Sequence, residues 1–194
     1  NMQLGLMHSE YFAGIAKYDF ASLAAPIDET STIGVTFIRL AVDDIPDTSE
    51  LIDKDGSINY DRIKSFSAAD YAFMFHYARK NQDIEALSYG GSAKIIYRNV
   101  GKFAKAWGFG LDAGAQYEMD NWIFGLMLRD VTSTFNAWSF NVESLREVYA
   151  LTGNSMPQNG LEITLPKSSL SAAYKKTFFA EKVARWGSAE MDLS

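Results

Sequence analysis

Residues 107 to 119 alternate without a break. The odd positions are Trp107, Phe109, Leu111, Ala113, Ala115, Tyr117 and Met119. The even positions are Gly108, Gly110, Asp112, Gly114, Gln116 and Glu118. Successive side chains point to opposite faces only in a β-strand, so this segment is a strand with one apolar face and one glycine-rich polar face. After a two-residue turn, Asp120-Asn121, the pattern returns, with Trp122, Phe124, Leu126 and Leu128 opposite Gly125 and Arg129.

Earlier segments behave alike. Leu87, Tyr89, Ala93, Ile95 and Tyr97 alternate with Ser88, Gly90, Ser92, Lys94 and Arg98. Tyr71, Phe73, Phe75 and Tyr77 alternate with Ala72, Met74, His76 and Ala78. Weaker copies lie at Leu170, Ala172 and Tyr174, and at Ala189, Met191 and Leu193. Three less regular segments, 2–12, 14–25 and 32–43, complete a tally of about nine strands. The expected fold is all-β, an antiparallel up-and-down sheet forming one domain over residues 1–194.

Two insertions interrupt the meander. Residues 44–66 form an acidic loop. Residues 131–160 form a second, expected to hold a short helix, with Asn141 as N-cap, Val142, Leu145, Val148 and Tyr149 on one side, and Gly153 as the stop. The insertions follow the third and seventh strands, so both leave the sheet at the same end. Short turns at one end and long loops at the other are a habit of membrane barrels.

Alternation also suits a soluble barrel with apolar residues inside. Three features favour the inverted arrangement. The strands exceed the ~5–6 residues of a typical soluble strand. Aromatic residues mark strand ends: Tyr71, Tyr77, Trp107, Tyr117 and Trp122 are the expected girdle. Trp107 and Tyr117 are separated by roughly 33 Å at ~3.3 Å per residue, and a tilt of about 40° projects that onto about 25 Å, the height of an apolar band in a bilayer. Finally, the other face combines glycine with Asp112, Glu118, Lys94, Arg98, Arg129, Glu190 and Asp192, which suits a wet interior. No apolar run reaches the 18 residues of a transmembrane helix, which says nothing against strands. An odd strand number does not close a bacterial barrel, so the chain is expected to be incomplete at both ends.

Composition excludes other classes. The chain has 194 residues, a net charge of −6, 14% aromatic residues and no cysteine. The acidic balance argues against nucleic acid as a partner. The missing cysteines remove disulfides and thiolate metal sites. No cofactor motif is present. His8 and His76 are the only histidines, read as lumen or interface residues rather than members of a metal site or hydrolase dyad. Asp53-Lys54-Asp55-Gly56 hints at a calcium loop, but one Asp is missing and Arg62 stands where such a loop needs Glu. The basic run Lys94, Arg98, Lys102 and Lys105 reads as lumen and rim charge, with contact to lipopolysaccharide phosphates as its functional alternative. Aromatic residues of the second insertion would be odd on a solvated loop. Phe135, Trp138, Phe140, Leu145 and Tyr149 are therefore the candidate contacts for a protein partner or for a lid.

Several segments resemble the PorV/PorQ family of outer-membrane proteins from Bacteroidota, which are FadL-like barrels. They are LMHSEYFAGIAKYDF (6–20), FIRLAVDDIPDT (37–48), SFSAADYAFMFHYARK (65–80), WGFGLDAGAQYE (107–118), RDVTSTFNAWSF (129–140) and NGLEITLPK (159–167). The resemblance implies a transmembrane barrel of about fourteen strands when complete, located in the outer membrane. It implies a non-enzymatic role in type IX protein secretion, in contact with outer-membrane lipid, lipopolysaccharide, the translocon and the signal domain of its cargo. A FadL-like conduit for hydrophobic small molecules is the alternative.

Overall fold

Every alternating segment is a strand in the computed structural model, which describes residues 1–53, 56–152, 155, 157–178 and 183–193. The strands are β1 (Gln3–Tyr11), β2 (Ala16–Pro26), β3 (Ser31–Asp47), β4 (Lys64–Lys80), β5 (Leu87–Val100), β6 (Ala104–Met119), β7 (Trp122–Arg129), β8 (Thr134–Phe140), β9 (Gly160–Thr164), β10 (Lys167–Phe178) and β11 (Val183–Leu193). Among the described residues one α-helix, α1 (Val142–Thr152), lies between β8 and β9, and a 3-10 turn spans Tyr60–Arg62. All pairings are antiparallel, in the order β1-β2-β3-β4-β5-β6-β7-β10-β11, with β8 beside β6 and β9 beside β8.

Eleven segments make nine lines across the sheet. One edge of β6 pairs with β7 over Ala113–Met119 and with β8 over Ala104–Phe109, so β7 and β8 are one line interrupted. Likewise β9 pairs with β8 and β10 with β7, so β9 and β10 form the next line. The interruption in the first line is residues 130–133, with φ of 55° at Asp130 and 58° at Ser133. The second breaks at Leu165 and Pro166, and Pro166 lacks the N–H that a ladder needs.

Both insertions are shorter than expected. The β3–β4 hairpin continues past a bulge between Val42 and Ile45, so its loop is 48–63 rather than 44–66. Residues 131–160 are not one loop. Residues 134–140 are β8, paired with β6, and the loop proper is 141–159. Asn141 does cap α1, its side chain accepting from the Ser144 N–H at 3.3 Å; Gly153 lies outside the described residues. Both long connections leave the sheet at one end, along with 12–15 and 101–103, whereas the opposite end has the turns 27–30, 81–86 and 120–121.

The faces are inverted relative to a water-soluble protein. Along β6 from Ala104 to Asp112 the even positions are buried and the odd ones more open: Ala106 is 1% exposed, and its neighbour Trp107 59%. The outer face carries Ile33, Val35, Phe73, Phe75, Ile95, Phe109, Phe124, Leu126 and Leu170, all exposed. Among the described residues the buried apolar side chains are three alanines, Ala41, Ala104 and Ala106, whereas Asp112, Thr134, Asn136 and Ser169 are buried polar ones. A single sheet without a second layer covers one face only by curling toward it, so the polar face is the inner one.

The inner face has little room. A Cβ on Gly108 would run into the Asn136 carboxamide, and one on Gly110 into the Thr134 hydroxyl and, at 2.6 Å, Lys94 Cε. Gly114 meets only ordinary contacts at 3.4 Å. Gly110→Ala should therefore destabilise the fold by ~1–3 kcal/mol through overpacking, while Gly114→Ala should be near neutral. Denaturant midpoints of the two variants, compared side by side, check this.

Candidate functional site

The inner face is a set of hydrogen-bonded charge clusters held by facing strands. At the break between β7 and β8, Lys94 on β5 donates to Asp112 on β6 at 2.9 Å and to Asp130 in the break. The three side chains are 14%, 6% and 13% exposed. Asp112 also accepts from the Asp130 backbone N–H at 2.8 Å, and Thr134 donates to Asp130. The interruption is thus folded around one cation and two carboxylates, where burying an unpaired charge would cost several kcal/mol.

A second cluster lies nearer the long loops. Arg98 on β5 donates to Asp70 on β4 at 3.1 Å and to Glu162 on β9 at 3.1 Å. Trp138 on β8 donates its indole N–H to the same Glu162 oxygen at 2.8 Å, and the guanidinium carbon lies 4.9 Å from the Trp138 ring centroid. A third chain, of hydroxyls and one imidazole, runs across β2 to β5: Ser22 with Thr36 at 2.9 Å, Thr36 with His76 at 2.9 Å, and His76 with Ser92 at 2.7 Å. Both ring nitrogens of His76 meet hydroxyls, so no carboxylate orients the ring as the third member of a catalytic triad would.

The candidate partner residues separate. Trp138 and Phe140 lie on the inner face, their rings 6.0 Å apart, whereas Phe135 is on the outer face. Leu145 and Tyr149 on α1 join Trp138 and Phe140 around an apolar hollow of about 390 Å³ under the helix, with Phe103 and Pro157 as further walls. Four of the five thus share one feature, and Phe135 belongs elsewhere, because strand alternation sends it to the other side.

The aromatic residues expected as a girdle, Tyr71, Tyr77, Trp107, Tyr117 and Trp122, all lie on the outer face. Tyr71 pairs with Tyr97 and Tyr97 with Trp107, ring centroids 6.0 and 4.7 Å apart, toward the long-loop end. Trp122 stands 4.9 Å from Tyr174 toward the other end. Tyr97, Tyr89 and Tyr174 extend these rows, and alternation could have found them.

The basic run does not form one patch. Lys94 and Arg98 hold inner-face carboxylates, Lys102 holds Asp47 at 2.8 Å, and Lys105 shares the outer face with Trp107. His8 is on the outer face, with Asp19 at 2.6 Å and Glu10 at 3.5 Å, while Ser9 points to the other side. In loop 48–63, Arg62 donates to Asp53 at 2.7 Å, so a guanidinium occupies the carboxylate that a calcium loop would use. Among the described residues no group of three or more His, Asp or Glu could hold a metal ion.

Fold and site together define an antiparallel sheet with an exposed apolar outer face, an ion-paired inner face, and a helix capping an apolar hollow at one end. Comparison with protein-family models, curated proteins and solved structures finds no match.

Asp47 lies past the β3 bulge, beyond the apolar band. Burial opposes its ionisation, but the Lys102 ammonium and the Ser49 N–H at 3.0 Å outweigh it and bring its pKa from 3.8 down to about 2. A carboxylate with a depressed folded pKa stabilises fully above its unfolded value and loses that contribution as pH falls through its folded value. On the order of 2 kcal/mol should therefore be present above pH 4 and disappear toward pH 2. The acid-unfolding curve of Asp47→Asn should be flatter than that of the parent over this window; superimposable curves would refute the assignment.

Proposed function

We propose that the chain is an outer-membrane β-barrel component, non-enzymatic, that docks proteins of the type IX secretion and surface-attachment machinery at its loop-bearing rim. The observation that carries this reading is the inversion of the faces. In water a large apolar side chain left fully open forgoes ~1.5–3 kcal/mol of burial, and the outer face leaves many such side chains about half open. In a bilayer the same face is solvated by lipid, and the charge clusters turn toward a wet interior.

Three further features support it. The aromatic rows flank the apolar face at both ends, as interfacial residues do. The connections are long at one end and short at the other. The segments quoted above resemble PorV/PorQ proteins, whose partners are the translocon and its cargo. The inner face favours docking over a hydrophobic conduit, because an apolar solute passing Lys94, Asp112, Arg98 and Glu162 would desolvate charges without pairing them.

The test has two arms. On the membrane reading the protein needs detergent to stay in solution and folds into phospholipid vesicles. Phe75→Arg, on the outer face between Tyr71 and Tyr77 of the same strand, should then cost about 2–4 kcal/mol as a mid-bilayer charge, measured by urea unfolding in vesicles. A protein soluble and monomeric without detergent would sink the reading. Replacing residues 141–159 by a short turn should leave vesicle insertion intact and reduce co-purification with the secretion translocon from native membranes. Undiminished recovery would count against docking at this rim.

A further inference from the structure

We infer that β8, α1 and β9 form a hinged leaf, closed by an ionic latch between Lys94 and Asp130, whose opening uncovers the hollow beneath α1. The leaf is attached to the sheet along one ladder, β8 to β6 over Ala104–Phe109. Below it, both of its lines are broken at the same height. Residues 130–133 separate β8 from β7, and Leu165-Pro166 separate β9 from β10. The register places these breaks side by side, between the Arg129–Lys167 and Thr134–Thr164 pairs. β6 itself has Gly110 at this level, so three adjacent strands have their weak points on one line.

Side-chain pins cross this line and hold the leaf inward. Lys94 reaches Asp130 from β5, and Asp130 in turn accepts from Thr134, the first residue of β8. Arg98, also on β5, reaches Glu162 in the middle of β9. At the far end the Asn141 N–H donates to the Phe103 carbonyl at 2.8 Å, which seats the start of α1 on the β5–β6 turn. The backbone at Asp130 and Ser133 has φ of 55° and 58°, values that cost a non-glycine residue free energy unless its surroundings impose them. The latch holds them, together with the Val131 N–H, which donates to the Leu111 carbonyl at 2.8 Å: Lys94 between two carboxylates keeps the break folded, and its loss loosens the leaf, which Arg98 and the Asn141 N–H then hold alone.

The leaf carries what the docking reading needs. Trp138 and Phe140 belong to β8, Leu145 and Tyr149 to α1, and all four bound the hollow whose opposite wall, Phe103 and Ala104, belongs to the fixed sheet. Swinging the leaf about its β6 ladder changes the width of that hollow without touching the lower sheet. This inference deepens the docking reading but rests on geometry that holds in either solvent.

Hydrogen exchange of the full chain in detergent tests it. Asp130→Asn removes the charge from the latch while leaving Lys94 its pair with Asp112. Exchange should accelerate several-fold in peptides covering 134–140 and 160–164, and stay at the parent rate in 122–128 and 167–174. The parent has no cysteine, so Ala104→Cys gives a single thiol in the wall of the hollow. Its alkylation by a maleimide should speed up several-fold when combined with Asp130→Asn. Thr134→Val, which removes only the hydroxyl donor, should give a smaller change in the same peptides. Unchanged exchange in 134–140, or an equal rise in 122–128 and 167–174, would overturn the leaf. No binding of the translocon by the parent, with the latch response intact, would fault the docking reading alone.

Discussion

Lys94 between Asp112 and Asp130 is the interaction on which the inner face depends. A sheet that turns its apolar side chains outward has no hydrophobic core to hold its strands in register. The polar side must supply that specificity, and at this cluster it does so with charges that are nearly buried and therefore tolerable only when paired. One ammonium serving two carboxylates ties β5, β6 and the β7–β8 break at a single point. The surrounding sequence follows from it. Gly110 has no side chain because Thr134 and the Lys94 stem fill the space above it, and Gly108 is bare for the sake of Asn136. The glycine-rich face is thus a floor left empty for the ionic side chains of its neighbours.

The same constraint explains the broken strands. A continuous β7–β8 line would place its middle residues in ordinary register against Gly110 and Asp112. Folding extra residues into the break instead brings Asp130 within reach of Lys94 and lets its backbone N–H bond Asp112. Regular backbone pairing is surrendered over a few residues, and charge-assisted hydrogen bonds, roughly twice as strong as neutral ones, replace it. Pro166 on the adjacent line has no N–H to contribute at that level, so the two interruptions suit each other.

Much of this architecture is written in the period of the sequence. Trp107 to Met119 is legible because every second residue is apolar and no exception intervenes. β8 is not, for a physical reason: Trp138 and Phe140 are large apolar residues on the inner face, where they border the hollow under α1, so alternation across 134–140 is masked. The break carries no glycine or proline of its own, and its positive φ values fall on Asp130 and Ser133, so nothing local announced a bulge rather than a loop. The two aromatic rows were partly visible from Tyr71, Trp107 and Trp122. The charge clusters were not, because Arg98 with Glu162 and Lys94 with Asp130 join residues far apart in the chain. Phe135 was grouped with Trp138 by proximity in sequence, which a strand's alternation reverses.

The outer face is not uniform, and its variation is informative. The row that holds Tyr71, Tyr97 and Trp107 on β4 to β6 continues onto β3, β2 and β1 as Arg39, Asp19 and His8. These last three form a chain, Arg39 donating to Asp19 at 2.8 Å and His8 lying 2.6 Å from the same carboxylate. Lys17 and Asp43, at 2.8 Å, close a second pair toward the long-loop end. Aromatic rings and neutralised ion pairs answer the same problem. A Tyr or Trp ring has an apolar body and a polar tip, a paired Arg or Lys an apolar stem and a neutralised head, and each belongs where an apolar medium gives way to a wet one. A single register row carrying rings on three strands and ion pairs on three more therefore marks one boundary. On the membrane reading that boundary is the headgroup layer on the side of the long loops, where α1 and its hollow face the solution rather than the lipid.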